Sequence, residues 1–314
     1  SGPALRGIEI MSKPRLNLVT CTEFPNLQSD DEGLLDALSD RGLDPYVVCW
    51  DDKSVDWSDS AAQVTRSVRD YPRRRKEYLQ WAHSVPRLLN HPDIQEWNSD
   101  KHYLQQLEKL GLRIIPTTWL EPSMGLTKHQ VHSRFPASGD FVIKPAVSSG
   151  GRDMGRYTAN TVSHRQKALA QAMDLLSSGE TVMVQRYIDE VDEHGEMSLV
   201  YINGIISHAV KKRAMLHPAE TRDDEIYDEV IVSQTGTERE WHWGEEIRTA
   251  LHAHVRARLG RDEQFLFNRI DLVEDGKGGY YVMEVSLVDA LLYLKDTEGA
   301  LDTFADGIAM RAFW

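Results

Sequence analysis

Near the end of the chain, two strand-like runs, Phe265 to Val273 and Tyr280 to Leu287, flank Asp275-Gly276-Lys277-Gly278-Gly279. Glycine-rich turn chemistry between two apolar runs commits this segment to a β-hairpin. If the loop is symmetric, Asp271 stands across from Glu284 and Arg269 across from Ser286. Directly opposed side chains have Cβ atoms about 5 Å apart, where two carboxylates repel. A cation between them removes the conflict, and Mg²⁺ favours one or two carboxylates completed by water and phosphate oxygens. An exposed hairpin with ordinary surface charges is the competing reading of the same pattern.

The rest of the chain supplies the frame for that hairpin. Leu16 to Cys21 and Pro45 to Trp50 read as strands, joined by a helix that starts near Asp30-Asp31, carries Leu34, Leu35 and Leu38, and stops at Gly42. Two strands joined by one helix predict a βαβ unit and a parallel sheet. Helices follow from about Arg73 to Ser84 and from Lys101 to Leu110. From Phe141 onward the pattern is antiparallel, with Asn203-Gly204 as a second hairpin turn and helices over 245–259 and 297–312. Ser163 and Gln166 form a capping-box pattern for a helix carrying Leu169, Met173 and Leu176. The fold class expected is therefore an α/β start followed by α+β. The units expected are 11–97, 98–188 and 189–314, with residues 1–10 set aside because Met11 makes a natural start.

Charge and cysteine usage narrow the function. Lys and Arg number 36 against 49 Asp and Glu, a formal charge of -13, which argues against a nucleic-acid surface. No run approaches the ~18 apolar residues of a membrane span. The N-terminus shows no basic-then-apolar leader pattern, and Cys21 and Cys49 both sit in strand-like runs. A cytoplasmic enzyme without a disulfide framework is the expectation.

Two further segments carry chemistry. Lys144 ends a strand and is followed by Pro145-Ala146-Val147-Ser148-Ser149-Gly150-Gly151-Arg152, a small flexible loop able to turn backbone N–H groups toward phosphate oxygens. The order of lysine and glycines is not that of a P-loop. Val182 to Ile188 is a strand ending in polar residues that can pair its backbone with an adenine edge, and Glu196 follows as an acceptor for ribose hydroxyls. Plain turn and surface charge are the competing readings of each segment.

Taken in order, Lys101, Lys144 with its Ser/Gly loop, Gln185 to Ile188, Glu196, Lys212, Asp271 and Glu284 resemble the ATP-grasp superfamily. Within it, the chain is similar to the group that contains the cycloserine-forming ligase. Trp50-Asp51-Asp52, Arg66-Ser67 before Asp70-Tyr71, Trp97 to Lys101 and Gly195 to Leu199 carry that finer likeness.

The resemblance implies an ATP-grasp fold behind a Rossmann-like N-terminal domain, with ATP and Mg²⁺ as cofactors and small-molecule substrates, in antibiotic or peptide metabolism. It places Lys101 and Lys144 on ATP phosphates under Ser148, Ser149, Gly150 and Gly151. Gln185, Arg186, Tyr187 and Ile188 become the adenine hinge, with Glu196 on the ribose. Asp271 and Glu284 take the metal, joined by Ser286 as a weak ligand. Lys212, Arg222 and Arg269 neutralise the transferred phosphate and the substrate carboxylate. With Arg152, six cations surround one triphosphate. Lys211 is the rival to Lys212, because the Asn203-Gly204 register sets Lys211 across from Glu196, whereas the place before Arg213 favours Lys212.

The implied reaction is ATP-dependent amide formation through an acyl phosphate, releasing ADP and phosphate. Cycloserine-type ring closure and nucleotide binding without turnover are the alternatives. Ser286 departs from the Asn or Glu usual at that position, which puts a second metal in question unless Asp289 substitutes. The acidic stretch Asp223, Asp224 and Glu225 beside Arg222 is expected to shape the acceptor site. A homodimer through the first domain is the family-level expectation.

Overall fold

The computed structural model describes residues 12–214, 221–222, 230–233 and 235–314. The chain opens with β1 (Arg15–Thr20), α1 (Leu34–Asp40), β2 (Asp44–Cys49), β3 (Ala62–Thr65), α2 (Arg75–Ser84) and β4 (Leu88–Leu89). These strands form a parallel sheet in the order β2-β1-β3-β4, as the βαβ reading requires. Asp30-Asp31 is not the start of α1. It forms a buried 3-10 turn whose carboxylates receive Arg66, at 3.2 Å from Asp30 and 2.9 Å from Asp31. Tyr71, Tyr78, Trp81 and Trp50 pack as one aromatic cluster on this sheet, with ring centroids 5.5–6.5 Å apart along Tyr78, Trp50 and Trp81.

Two short helices, α3 (Pro92–Asn98) and α4 (Tyr103–Lys109), lead to a second sheet. Its antiparallel strands are β5 (Thr117–Leu120), β6 (Asp140–Pro145), β7 (Met154–Thr158) and β8 (Val182–Arg186), with α5 (Lys128–His132) and α6 (Val162–Ser177) packed against it. The expected Ser163–Gln166 capping box does not form. Thr161 is the N-cap, so Ser163 already lies inside the helix. Capping boxes occur instead at Thr127–Gln130 of α5 and at Thr237–Glu240.

After α7 (Glu190–His194) come β9 (Glu196–Ile202), β10 (Ile205–Lys212), β11 (Thr221–Arg222), β12 (Ile231–Ser233), α8 (Glu238–Leu259), β13 (Phe267–Glu274), β14 (Tyr280–Ser286) and α9 (Ala300–Phe313). The short β11 joins the second sheet beside β7. The others form a third sheet in the order β12-β10-β9-β13-β14. Its two faces bury different cores. Leu199, Tyr201 and Ile270 meet Ile247, Leu251 and Val255 of α8, while Val200, Ile202 and Phe267 meet α9 and the first sheet. This alternation is what a strand period of two imposes when both faces are covered. His252 and His254 of α8 are half-buried, stacked on Phe265 and Trp97.

The free edge of β14 is covered by the linker helices. Asn98 donates to the Val285 carbonyl at 2.8 Å and accepts the Leu287 N–H at 2.9 Å, while Tyr103 Oη accepts the Val285 N–H at 2.8 Å. A sheet edge has unsatisfied backbone groups, and these side chains satisfy them while fixing the strand that carries Glu284 and Ser286. Among the described residues, no helix is long and apolar enough to cross a membrane.

Candidate active site

The second and third sheets enclose a cleft, closed at one end by the first sheet's loops. It is lined by Lys101, Lys144, the 148–151 loop, Gln185 to Ile188, Glu196, Lys212, Arg269, Asp271, Glu284 and Ser286, together with Arg69 and Asp289.

The hairpin delivers Asp271 opposite Glu284 and Arg269 opposite Ser286. It does so by a route that a symmetric loop does not supply. Next to the turn Glu274 pairs with Tyr280, and a bulge between Asp271 and Leu272 absorbs Met283 before the site pairs form. A bulge adds one residue to one strand and re-aims the side chains beyond it. In the β9–β10 hairpin a comparable irregularity has the reverse consequence. Between Ile206 and His208 the register slips, so Lys212 and not Lys211 stands across from Glu196, and Lys211 faces Met197. Lys212 is 2% exposed, with Nζ 3.7 Å from Glu196 and 3.9 Å from Asp271. Lys211 is half-exposed and outside the cleft lining, so its assignment to the nucleotide is corrected.

Of the six expected cations, Arg152 is not among the lining residues and the side chain of Arg222 is not described. Arg152 is buried but points toward the first domain, where it pairs with Glu23 and donates to the Arg69 carbonyl at 3.4 Å. The backbone of Arg222 pairs with Met154 beside the Ser/Gly loop, and its side chain lies outside the described residues, as do Asp223, Asp224 and Glu225. The four others converge. Lys101 Nζ lies 3.3 Å from the Ser148 carbonyl, 3.2 Å from Ser148 Oγ and 3.6 Å from Glu284. Lys144 projects from the end of β6, 5% exposed; burial and the neighbouring Lys101 lower its pKa to about 8. An ammonium held there beside another cation calls for an anion.

Asp271 is almost fully buried. Burial opposes its ionisation, but Arg269 and Lys212, with a 2.6 Å hydrogen bond from Ser198, outweigh that and hold the carboxyl below its ordinary range. Arg269 donates to both its oxygens at 3.0 Å. An ionised Asp271, the Glu284 carboxylate and the Ser286 hydroxyl are hard oxygen donors on adjoining strands, a set that fits Mg²⁺.

Gly150 and Gly151 have φ of +67° and +73°, which only glycine adopts without strain, and this lets the loop lie close over a ligand. At the end of β8, Gln185 donates to Thr117 Oγ1 at 3.1 Å, and the N–H groups of Arg186 and Tyr187 bond the Pro116 and Asp140 carbonyls at 3.0 Å.

Arg69 is the residue that sequence patterns missed. It reaches the cleft from the first domain, donating to Ser149 Oγ at 3.1 Å, Asp289 at 3.2 Å and Gln28 at 2.9 Å, while Ser149 also bonds Asp289. Tyr71 donates to the Ser148 carbonyl at 3.3 Å. No spacing rule links positions 69, 149 and 289; only the packing of three separate units does.

Residues 16–90 match the D-cycloserine synthetase DcsG N-terminal domain, and residues 108–263 match the prokaryotic glutathione synthetase ATP-grasp domain. The cycloserine biosynthesis protein DcsG of Streptomyces lavendulae is 31% identical over 302 residues, 94% of this chain and 98% of that protein. The chain belongs to the DcsG family of ATP-grasp ligases.

The crystal structure of D-cycloserine synthetase DcsG superposes with a TM-score of 0.81 at 30% identity, covering 95% of this chain and 99% of that one. D-alanine–D-alanine ligase from Bacillus anthracis, complexed with ATP, shares the fold at a TM-score of 0.60 and 11% identity, covering 96% and 97%. A RimK domain ATP-grasp protein from Sphaerobacter thermophilus does so at 0.61 and 16%, covering 96% and 100%. This DcsG-family chain is an ADP-forming carboxylate–amine ligase on an ATP-binding fold.

Proposed function

We propose that this ligase uses Mg²⁺ and ATP to activate the carboxylate of a small amino-acid substrate, which an amine then captures as an amide. The observation that carries this reading is the meeting of four buried cations, Lys101, Lys144, Lys212 and Arg269, with Asp271, Glu284 and Glu196 in one cleft.

In this reading Lys101 and Lys144 neutralise the phosphates under the 148–151 loop. The Gln185 to Ile188 segment takes the adenine, and Glu196 takes the ribose. Asp271, Glu284 and the weaker Ser286 would hold Mg²⁺, which supplies charge neutralisation at the phosphate oxygens when bound. Lys212 and Arg269 stabilise charge on the phosphoryl group as it moves to a carboxylate oxygen, leaving ADP. The amine attacks the acyl carbon, phosphate leaves, and the amine proton passes to solvent or to the departing phosphate. The protein contributes position and fixed charge, with no covalent enzyme intermediate.

Arg69 and Asp289 put opposite charges at the first-domain end of the cleft, matching the two charged ends of an amino acid. Ring closure within one substrate molecule is the second reading, favoured by 31% identity to a cycloserine biosynthesis protein over nearly the whole chain. We also divide the chain after residues 97 and 188, a division that the three sheets support except at β11, which joins the second sheet. Incubation with Mg²⁺, ATP and pooled D- and L-amino acids, followed by ADP release and mass spectrometry, tests the proposal. The absence of both amino-acid-dependent ADP release and a dehydrated product would refute it.

A further inference from the structure

Tyr293 is 3% exposed, and its φ of +57° is in the left-handed region, where a bulky residue is strained. Such strain persists only where the surroundings over-determine it. Here they do, from the two sides of the turn. Asp30 of the first domain accepts the N–H groups of Leu292 at 2.8 Å and Leu294 at 3.0 Å, the residues immediately before and after Tyr293. Arg66 holds Asp30 at 3.2 Å and donates to the Ala290 carbonyl at 3.0 Å. On the opposite side, His208 of β10 bonds the Leu292 carbonyl through Nε2.

This scaffolding fixes where the ring lies. Lys212 Nζ is 5.4 Å from the ring centroid and Arg269 Cζ is 5.6 Å from it, both within cation–π range. Arg269 is also tied to this segment through the Leu291 carbonyl at 2.9 Å. Asp271 holds the two cations from one direction, at 3.0 Å and 3.9 Å, and the ring contributes a second fixed surface. The ring's negative face also offsets the repulsion between two cations that share it.

We infer that Tyr293 is a positioning residue for phosphoryl transfer: Asp30 and Arg66 of the first domain hold its ring against Lys212 and Arg269, and so set both cations for the moving phosphate. The inference rests on the proposed assignment of Lys212 and Arg269 to that phosphate. It goes beyond it by making docking of the first domain, through the bonds from Leu292 and Leu294 to Asp30 on either side of Tyr293, a condition for charge stabilisation at the third sheet.

The test keeps the ring's shape and changes its electrons. Phenylalanine, 3,5-difluorophenylalanine and pentafluorophenylalanine are placed at position 293 of the full chain. Calorimetry then measures Mg²⁺–ADP alone and Mg²⁺–ADP with aluminium fluoride, a stand-in for the transferred phosphoryl group. Tyr293→Phe, which keeps an electron-rich ring, is the reference for the fluorinated rings. The pentafluoro ring should weaken the aluminium fluoride complex about tenfold, about 1.4 kcal/mol, and leave ADP within about twofold. Equal aluminium fluoride affinity across the series overturns the inference, as does a parallel loss of ADP affinity. Asp30→Asn is expected to weaken the same complex selectively; parent-level binding overturns the role given to Asp30. ADP binding that aluminium fluoride fails to tighten in the parent overturns the placement of Lys212 and Arg269, and this inference with it. Absence of any Mg²⁺–ADP binding by the parent refutes the nucleotide site itself, a separate failure.

Discussion

Replacing Lys144 with methionine separates what the nucleotide-free protein gains from what the ligand needs. Lys144 is 5% exposed, and burial together with Lys101 takes its pKa from 10.5 to about 8. At 1.36 kcal/mol per tenfold, holding that ammonium charged at pH 7 costs the folded state roughly 3 kcal/mol relative to the unfolded chain. Because the folded pKa is the lower one, the unfolded chain binds more protons between about pH 8 and 10.5, and stability rises with pH across that window. Lys144→Met removes the charge and keeps most of the stem's volume. The variant is expected to be more stable than the parent at pH 7 by up to roughly 3 kcal/mol, and the difference should shrink toward pH 10. Nucleotide binding has the opposite sign, since phosphate favours the charged lysine. Mg²⁺–ADP at about a thousand times its Kd stabilises a protein by about 4 kcal/mol, and the variant should lose most of that gain. Urea unfolding with and without Mg²⁺–ADP, at several pH values, reads both effects. A variant less stable than the parent without nucleotide, yet still fully stabilised by it, would refute the reasoning.

Three further outcomes are expected. Glu284→Ala should abolish turnover, measured as ADP release, while circular dichroism and melting show an intact fold; retained activity would mean the metal carboxylates are elsewhere. His102 has its ring nitrogens 2.6 Å from Asp100 and 2.7 Å from Glu121; burial opposes its charge, but Glu121 and Asp100 outweigh it and raise its pKa. Its contribution to stability is therefore full below about pH 6.5 and lost as pH rises through the higher folded value. His102→Gln should remove that slope in urea midpoints as pH rises above about 6.5, and a constant difference from the parent would rule the charge out. Arg66→Met strands Asp30 and Asp31 in the interior and is expected to cost about 3–5 kcal/mol of unfolding free energy, with a loss below about 1 kcal/mol counting against a structural ion triad.

Much of the site was legible from local pattern. Lys144 ends a strand before a Ser/Gly loop, Gln185 lies at the end of β8, and Asp271 and Glu284 share a hairpin, all within short stretches of chain. What misled were single-residue irregularities. The pairing of Lys212 with Glu196 depends on the register shift between Ile206 and His208, and a period-two argument carried past that point chooses Lys211. The Asp271–Glu284 pairing needs the bulge at Met283, which a symmetric loop does not contain. The capping-box pattern at Ser163 lost to Thr161, two residues earlier. Arg152 carried the right charge in the right loop, yet Glu23 of another unit draws it away.

The sequence by itself determined the opening βαβ unit, the two hairpins and the motif order that marks an ATP-grasp ligase, because these depend on interactions among neighbours in the chain. Only the tertiary structure decided which side chains meet. Arg69 reaches Ser149 and Asp289, and Asp30 grips the turn at Tyr293, across separations of 80, 220 and more than 260 residues. No periodicity encodes such contacts. They exist because buried polar groups must find partners wherever folding brings them together, and here that requirement joins the first domain to the cations of the cleft.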